Sequence, residues 1–309
     1  QSIADSLLGD FRWVAESGSD AGAVEGSSLI LTYSFVSSAN DLYQDARFGY
    51  DASDADYDYP FRSAFRAFDQ FERSLAQSIF NDYENIIDIE FVEIDDPSQA
   101  NLRLSITDLS LEEASGIAFS PSSKFVPFTV DSEEIHEASE LSGDVWIDDD
   151  LDETIFRETL IHEIGHALGL SHPHENGFEF IEDVTNGTLS GDLDYNRYTV
   201  MSYEVKPASI DESSVDFWSV ASTPMPLDID ALIGLYGSAD NESNDVYIIN
   251  QFVDSHVNTP TLGYGGFEQH DYTNSYISIV DNGGINALVI PVDLNLRIDL
   301  RADSWSNTQ

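Results

Sequence analysis

Cysteine is absent from the 309-residue chain, which excludes disulfides, thiolate zinc sites, iron–sulfur clusters and cysteine nucleophiles together. Any chemistry must use histidine, carboxylates or hydroxyls. Basic residues are scarce: 12 Lys and Arg stand against 58 Asp and Glu, a formal charge of −46. A basic surface gripping a nucleic-acid backbone is therefore excluded, and an anionic membrane repels the chain. No run of about 18 apolar residues occurs, so no helix is expected to span a bilayer. The first ten residues show neither a basic n-region nor a long apolar core, and no export signal is read in them. Also missing are a G-x-S-x-G elbow, a phosphate-cradling G-x-x-x-x-G-K and a dinucleotide fingerprint. What remains is ample: 41% hydrophobic and 12% aromatic residues, apolar material for one large domain or two smaller ones. Excess carboxylate on an ordinary hydrophobic content fits a surface kept hydrated in salty water, or simply an acidic protein.

Residues 1–26 are polar and read as a leader strand or loosely held arm. Leu29-Ile30-Leu31-Thr32-Tyr33-Ser34-Phe35 is a strand candidate, and Phe61, Phe65, Phe68, Leu75, Ile79 and Phe80 recur at helical spacing, predicting an amphipathic helix over 62–83. Short strand-like runs follow at 86–94, 102–106, 116–119 and 144–147. Asp150 with Glu153 fits a capping box for a second helix over 151–168, closed by Gly169. A third helix is expected over 227–236, opened by Pro226 and stopped by Gly237. Residues 241–309 alternate short β-rich runs with Asn, Asp and Gly turns. The expected organisation is an arm (1–26), an α/β domain (27–240) and a β-rich module (241–309).

The second helix contains His162-Glu163-Ile164-Gly165-His166-Ala167-Leu168-Gly169-Leu170-Ser171-His172, a complete H-E-x-x-H-x-x-G-x-x-H. H-E-x-x-H alone arises by chance in roughly one chain in a hundred of this length, and Gly169 with His172 lowers that by about three orders of magnitude. Residues four apart share a helix face, so His162 and His166 can hold one metal ion. Gly169 can take a left-handed conformation and turn the chain so that His172 completes the set. Three neutral nitrogens without cysteine match a catalytic zinc site that keeps one position for water. Glu163 is placed to act as base and then acid in peptide hydrolysis. A relic site in a non-catalytic binding or adhesion module would keep the same letters. His136, His174, His256 and His270 read as surface or loop residues.

With that motif the chain resembles the metzincin metallopeptidases, and within them the serralysins. Met201-Ser202-Tyr203, after Tyr198-Thr199-Val200, resembles the turn that sets a methionine beneath the metal, although a lone Met also suits ordinary core filling. The resemblance implies that Met201 is a supporting floor and that Tyr203 is a displaceable ligand that later stabilises the oxyanion. It extends over about residues 27–240, through Tyr33-Ser34-Phe35, Ile89-Glu90-Phe91, Gly143-Asp144-Val145-Trp146-Ile147 and Pro226-Leu227-Asp228-Ile229-Asp230. It implies an α/β (α+β) fold, a mixed twisted sheet with long helices and a zinc cleft. Gly116, Ile117, Ala118 and Phe119 would form the edge strand that pairs with an extended substrate.

It further implies a secreted, extracellular, monomeric endopeptidase acting on proteins or peptides with catalytic zinc, followed by the start of a parallel β-roll. The roll's Gly-Gly-x-Gly-x-Asp repeat is approached only by Gly283-Gly284-Ile285-Asn286-Ala287-Leu288, which lacks the second glycine step and the Asp. Calcium is therefore expected, if anywhere, in acidic loops such as 51–58, where Asp54, Asp56 and Asp58 alternate, or 148–152. The EF-hand Gly and terminal Glu are missing from 51–58, so a solvated acidic loop is the favoured reading there.

Overall fold

Alternation along β1 (Leu29–Phe35) sends Leu31, Tyr33 and Phe35 into the core while Ile30 stays exposed, the period of two that a strand dictates. The computed structural model describes residues 7–9, 12–13, 29–42, 61–110, 112–121, 141–173, 194–204 and 220–239, with short pieces at 246–248, 275–276, 278, 287–289, 296–297 and 307–308. Around β1 are built β2 (Ile89–Glu93), β3 (Leu102–Thr107), β4 (Gly116–Ala118) and β5 (Asp144–Asp148) in the order β2-β1-β3-β5-β4. All neighbours run parallel except β4, which lies antiparallel on β5 with Gly116 opposite Ile147 and Ala118 opposite Val145. The central strand β3 is buried throughout, as expected of a parallel strand covered on both faces.

One face carries α1 (Gln70–Glu84) and α2 (Glu153–Ala167). Tyr33, Phe35, Phe68, Phe80, Phe91 and Phe156 interlock there with ring centroids 4.3–5.9 Å apart. On β5 the alternation splits the core: Val145 and Ile147 join this cluster, while Trp146 joins Val36, Leu42, Phe61 and Leu141 in the other. Two polar ties fix the helices. The Tyr83 hydroxyl donates to Ile161 O at 2.9 Å, and the Arg157 guanidinium donates to Asp82 at 2.9 Å and to Ser222 O at 2.9 Å. α3 (Pro226–Tyr236) closes the domain behind α2.

Two helix starts differ from expectation. α1 begins at Gln70, because Phe61 and Phe65 leave the helical stripe to pack by Trp146, and Arg66 pairs with Ile106 of β3 through both main-chain bonds. Asp69 and Glu72 form the capping box, and Glu72 also takes a bidentate pair from Arg66 at 2.8 and 2.9 Å. For α2 the capping side chain is Asp152, not Asp150: its carboxylate accepts from Ile155 N at 3.1 Å.

In the C-terminal part, β7 (Val246–Ile248) pairs in parallel with β9 (Ala287–Val289), and β10 (Leu296–Arg297) pairs antiparallel with β11 (Asn307–Thr308). β8 (Ser275–Tyr276) pairs instead with β6 (Val220–Ala221). Among the described residues these are separate two-stranded pairs. Of the string from Gly283 to Leu288 only Ala287 and Leu288, in β9, are described; residues 51–58 and the four remaining histidines lie outside the described residues.

Candidate metal centre

α2 delivers His162, Glu163 and His166 from its last turns, and its ending brings in His172. Gly169 N–H donates to His166 O and Leu170 N–H to Gly165 O, both at 2.9 Å, with Gly169 at φ +102°. This is a Schellman ending, and a positive φ at that position favours glycine. The chain turns, and His172 Nε2 comes to 3.1 Å from His162 Nε2 and 3.0 Å from His166 Nε2.

Carbonyls decide the tautomers. His162 Nδ1 donates to Val200 O at 2.7 Å and His166 Nδ1 to Leu170 O at 2.8 Å. A carbonyl can only accept, so in both rings the Nδ1 carries the proton and Nε2 presents its lone pair to the centre. Burial, with His166 and His172 adding to it, pushes His162 down to about 3, so the ring is neutral. His172 Nε2 can donate its one proton to only one of the two lone pairs that face it, whereas a single cation among the three nitrogens satisfies all of them. Zinc–nitrogen distances of about 2.0–2.1 Å in a tetrahedral site place ligand nitrogens roughly 3.3 Å apart, near the observed spacing. The donor set thus fits a metal ion.

Met201 is fully buried. A Cβ on Gly165 would stand 2.9 Å from its sulfur, so the glycine inside α2 is what lets Met201 approach. Asp228, fully buried on α3, accepts from Thr199 Oγ1 at 2.6 Å and from Val200 N and Met225 N at 2.8 Å each. It therefore holds the N–H of Val200, the residue whose carbonyl orients His162. Tyr203 is 65% exposed, its ring 4.5 Å from that of His172 and nearly parallel to that of His162 at 5.8 Å.

Glu163 is buried, and burial raises its carboxyl to about 8. Its neighbour is β4: a Cβ on Gly116 would lie 2.6 Å from Glu163 Cγ and 2.8 Å from Thr159 Cγ2. β4 ends the strand order, so one side of its backbone faces away from the sheet. The expected strand residues Gly116, Ile117 and Ala118 form it, and Phe119 follows directly, its N–H donating to Asp144 O at 2.9 Å. Sequence reading did not single out Asp228 or Gly165 as parts of the site. Their signals were a carboxylate in an apolar helix and a glycine inside one.

Asp108, Asp148 and Asp149 also bring carboxylate oxygens within 4.8 Å of one another. Asp148 accepts from Leu109 N at 2.7 Å and Asp108 from Ser110 N at 2.9 Å.

No family model matches the chain. Among curated proteins it is similar to serralysin of Photorhabdus laumondii, 25% identical over 308 residues, 92% of this chain and 58% of the relative. It is similar to serralysin of Proteus mirabilis at 27% over 255 residues, 78% of this chain and 48% of that one. Serralysin C of Dickeya chrysanthemi is 30% identical over 156 residues, 49% of this chain and 30% of the relative. The chain is a relative of the serralysins. The alignment with the Photorhabdus serralysin takes in most of this serralysin-like chain, whose mixed α/β sheet is compatible with a metzincin domain. The chain spans about half the length of the curated relatives it matches.

Proposed function

We propose that this serralysin relative is a zinc-dependent endopeptidase. The observation that carries the reading is the convergence of His162, His166 and His172 beside a buried Glu163 that faces an edge strand. His162, His166 and His172 would hold the ion, and zinc supplies Lewis acidity to the attacked carbonyl and to the attacking water. An extended substrate adds to the outer side of β4, its main chain pairing with residues 116–118. Glu163 takes the water proton as the water oxygen bonds to the carbonyl carbon. It delivers that proton to the leaving amine as the C–N bond breaks. Tyr203, exposed and stacked beside His162, donates its hydroxyl to the oxyanion. Met201 supports the histidines from below.

A relic binding module is the weaker reading. Burying a carboxyl as deeply as Glu163 is costly, and a site relieved of catalysis has no use for that cost. Secretion to the extracellular medium, action as a monomer, and division into 1–26, 27–240 and 241–309 belong to the same proposal. Among the described residues, no helix is long and apolar enough to cross a membrane. Calcium has one point of support, the Asp108, Asp148 and Asp149 carboxylates. Cleavage of casein that chelation abolishes and zinc restores tests the proposal; full turnover in a metal-free preparation contradicts it.

A further inference from the structure

The last carbonyls of a helix have no partner within it, and α2 ends where the metal ligands gather. After the Schellman bonds, the next carbonyls are satisfied from elsewhere in succession. Trp13 Nε1 donates to Ala167 O at 2.7 Å, the Tyr236 hydroxyl to Leu168 O at 2.6 Å, and Gly9 N–H to Gly169 O at 2.8 Å. Ser171 N–H returns a bond to Leu7 O at 2.8 Å, so Leu8 and Leu170 face each other in an antiparallel bridge.

The anchoring around this bridge is firm. Leu7 is 1% exposed and belongs to the main core. Trp13 N–H donates to the Tyr236 hydroxyl at 3.3 Å, and Arg12 donates to Leu235 O at 2.6 Å, which fastens the segment to the last turn of α3. A Cβ on Gly9 would stand 2.9 Å from Gly169 O, a main-chain atom that cannot swing aside. Leu170 is the pivot. Its carbonyl orients His166, its bridge partner is Leu8, and His172 follows two residues later.

We propose that residues 7–9, with Arg12 and Trp13, are a positioning strap for the metal centre, holding the turn that sets the His166 ring and brings His172 into the ligand set. The strap holds Leu170, whose carbonyl is the direct outer partner of His166, and loss of such a partner typically costs about 10–100-fold in metal affinity. The inference rests on the zinc reading above.

The test compares zinc affinity, by competition with a chelator, in the full chain and in Gly9→Val and Trp13→Phe. The first forces the bridge apart; the second keeps an aromatic ring and removes the cap on Ala167 O. A control substitution at Ile89, on the strand at the opposite end of the sheet from β4, is chosen to lower the melting temperature equally. Measurements are made well below every melting temperature, with far-UV circular dichroism confirming the fold. The strap variants should bind zinc about tenfold or more weakly than the control. Equal affinity in strap and control variants overturns the proposal, and Trp13→Phe carries the comparison alone if Gly9→Val does not fold. Failure of the unaltered protein to bind zinc overturns the proposed function itself, and the strap with it.

Discussion

Replacing Asp228 separates its charge from its acceptor geometry. The carboxylate is fully buried and takes two main-chain N–H groups, from Val200 and Met225, on Oδ2 and the Thr199 hydroxyl on Oδ1. Burial outweighs those bonds and raises its pKa from 3.8 to about 6. The sign follows from linkage. Above about 6 the folded protein carries the buried charge; between about 6 and 3.8 it binds a proton that the unfolded chain does not; below 3.8 both are protonated. The ionised form therefore costs about 3 kcal/mol at neutral pH, and that cost fades as pH falls towards 4. Asp228→Asn can keep the oxygen under both N–H groups and turn its amide towards Thr199. It should be as stable as the parent at pH 8, or more stable by up to about 3 kcal/mol, with the gap closing at low pH. Asp228→Ala leaves both N–H groups buried without that acceptor, at about 1–3 kcal/mol each, and should fall roughly 2–6 kcal/mol below Asn. Because Val200 O orients His162, Ala should also weaken zinc binding and Asn should largely preserve it. Urea unfolding at several pH values, with chelator competition for zinc, reads both effects. An Asn variant as unstable as Ala at pH 8, or a gap to wild type that ignores pH, would refute the reasoning.

Gly116→Ala puts a methyl 2.6 Å from Glu163 Cγ; kcat on a peptide should fall while zinc affinity holds, and an unchanged kcat would show that β4 does not seat Glu163. Gly165→Ala gains about 1 kcal/mol of helix propensity but crowds Met201, an overpacking that typically costs about 1–3 kcal/mol. A small net loss of stability in urea, with weaker zinc binding, is expected. With a net charge of −46, the melting temperature should rise with NaCl and level off below 1 M, since the screening length falls from about 30 Å at 0.01 M to about 3 Å at 1 M. A flat series would remove the case for adaptation to salt. Calcium at matched ionic strength should raise the melting temperature further if Asp108, Asp148 and Asp149 take the ion.

The legible parts of the fold were those where a local pattern and a tertiary demand coincide. The strand at Leu29–Phe35 and the helix at Pro226–Tyr236 appear where alternation and the Pro and Gly signals placed them. The fixed spacing of the histidine motif, with Gly169 at its turn, likewise foretold which side chains meet. The start of α1 was not legible, because Phe61 and Phe65 match a helical stripe yet pack on the opposite face of the sheet by Trp146. Only the sheet makes that decision. Gly165 and Asp228 act through atoms distant in sequence, the Met201 sulfur and the Val200 peptide. The segment around Leu7 reads as a loose polar arm, since its partners are main-chain groups of residues 169–171 and no side-chain pattern advertises them.

The central claim is that Glu163 moves the proton in a reaction sited at His162, His166 and His172. Glu163→Gln is nearly isosteric and leaves all three imidazoles in place, so the direct measurement is zinc content together with the single-turnover rate of peptide cleavage. Zinc should stay at the wild-type level while the rate falls by about two to four orders of magnitude. A variant that keeps its zinc and cleaves at the wild-type rate would contradict the account.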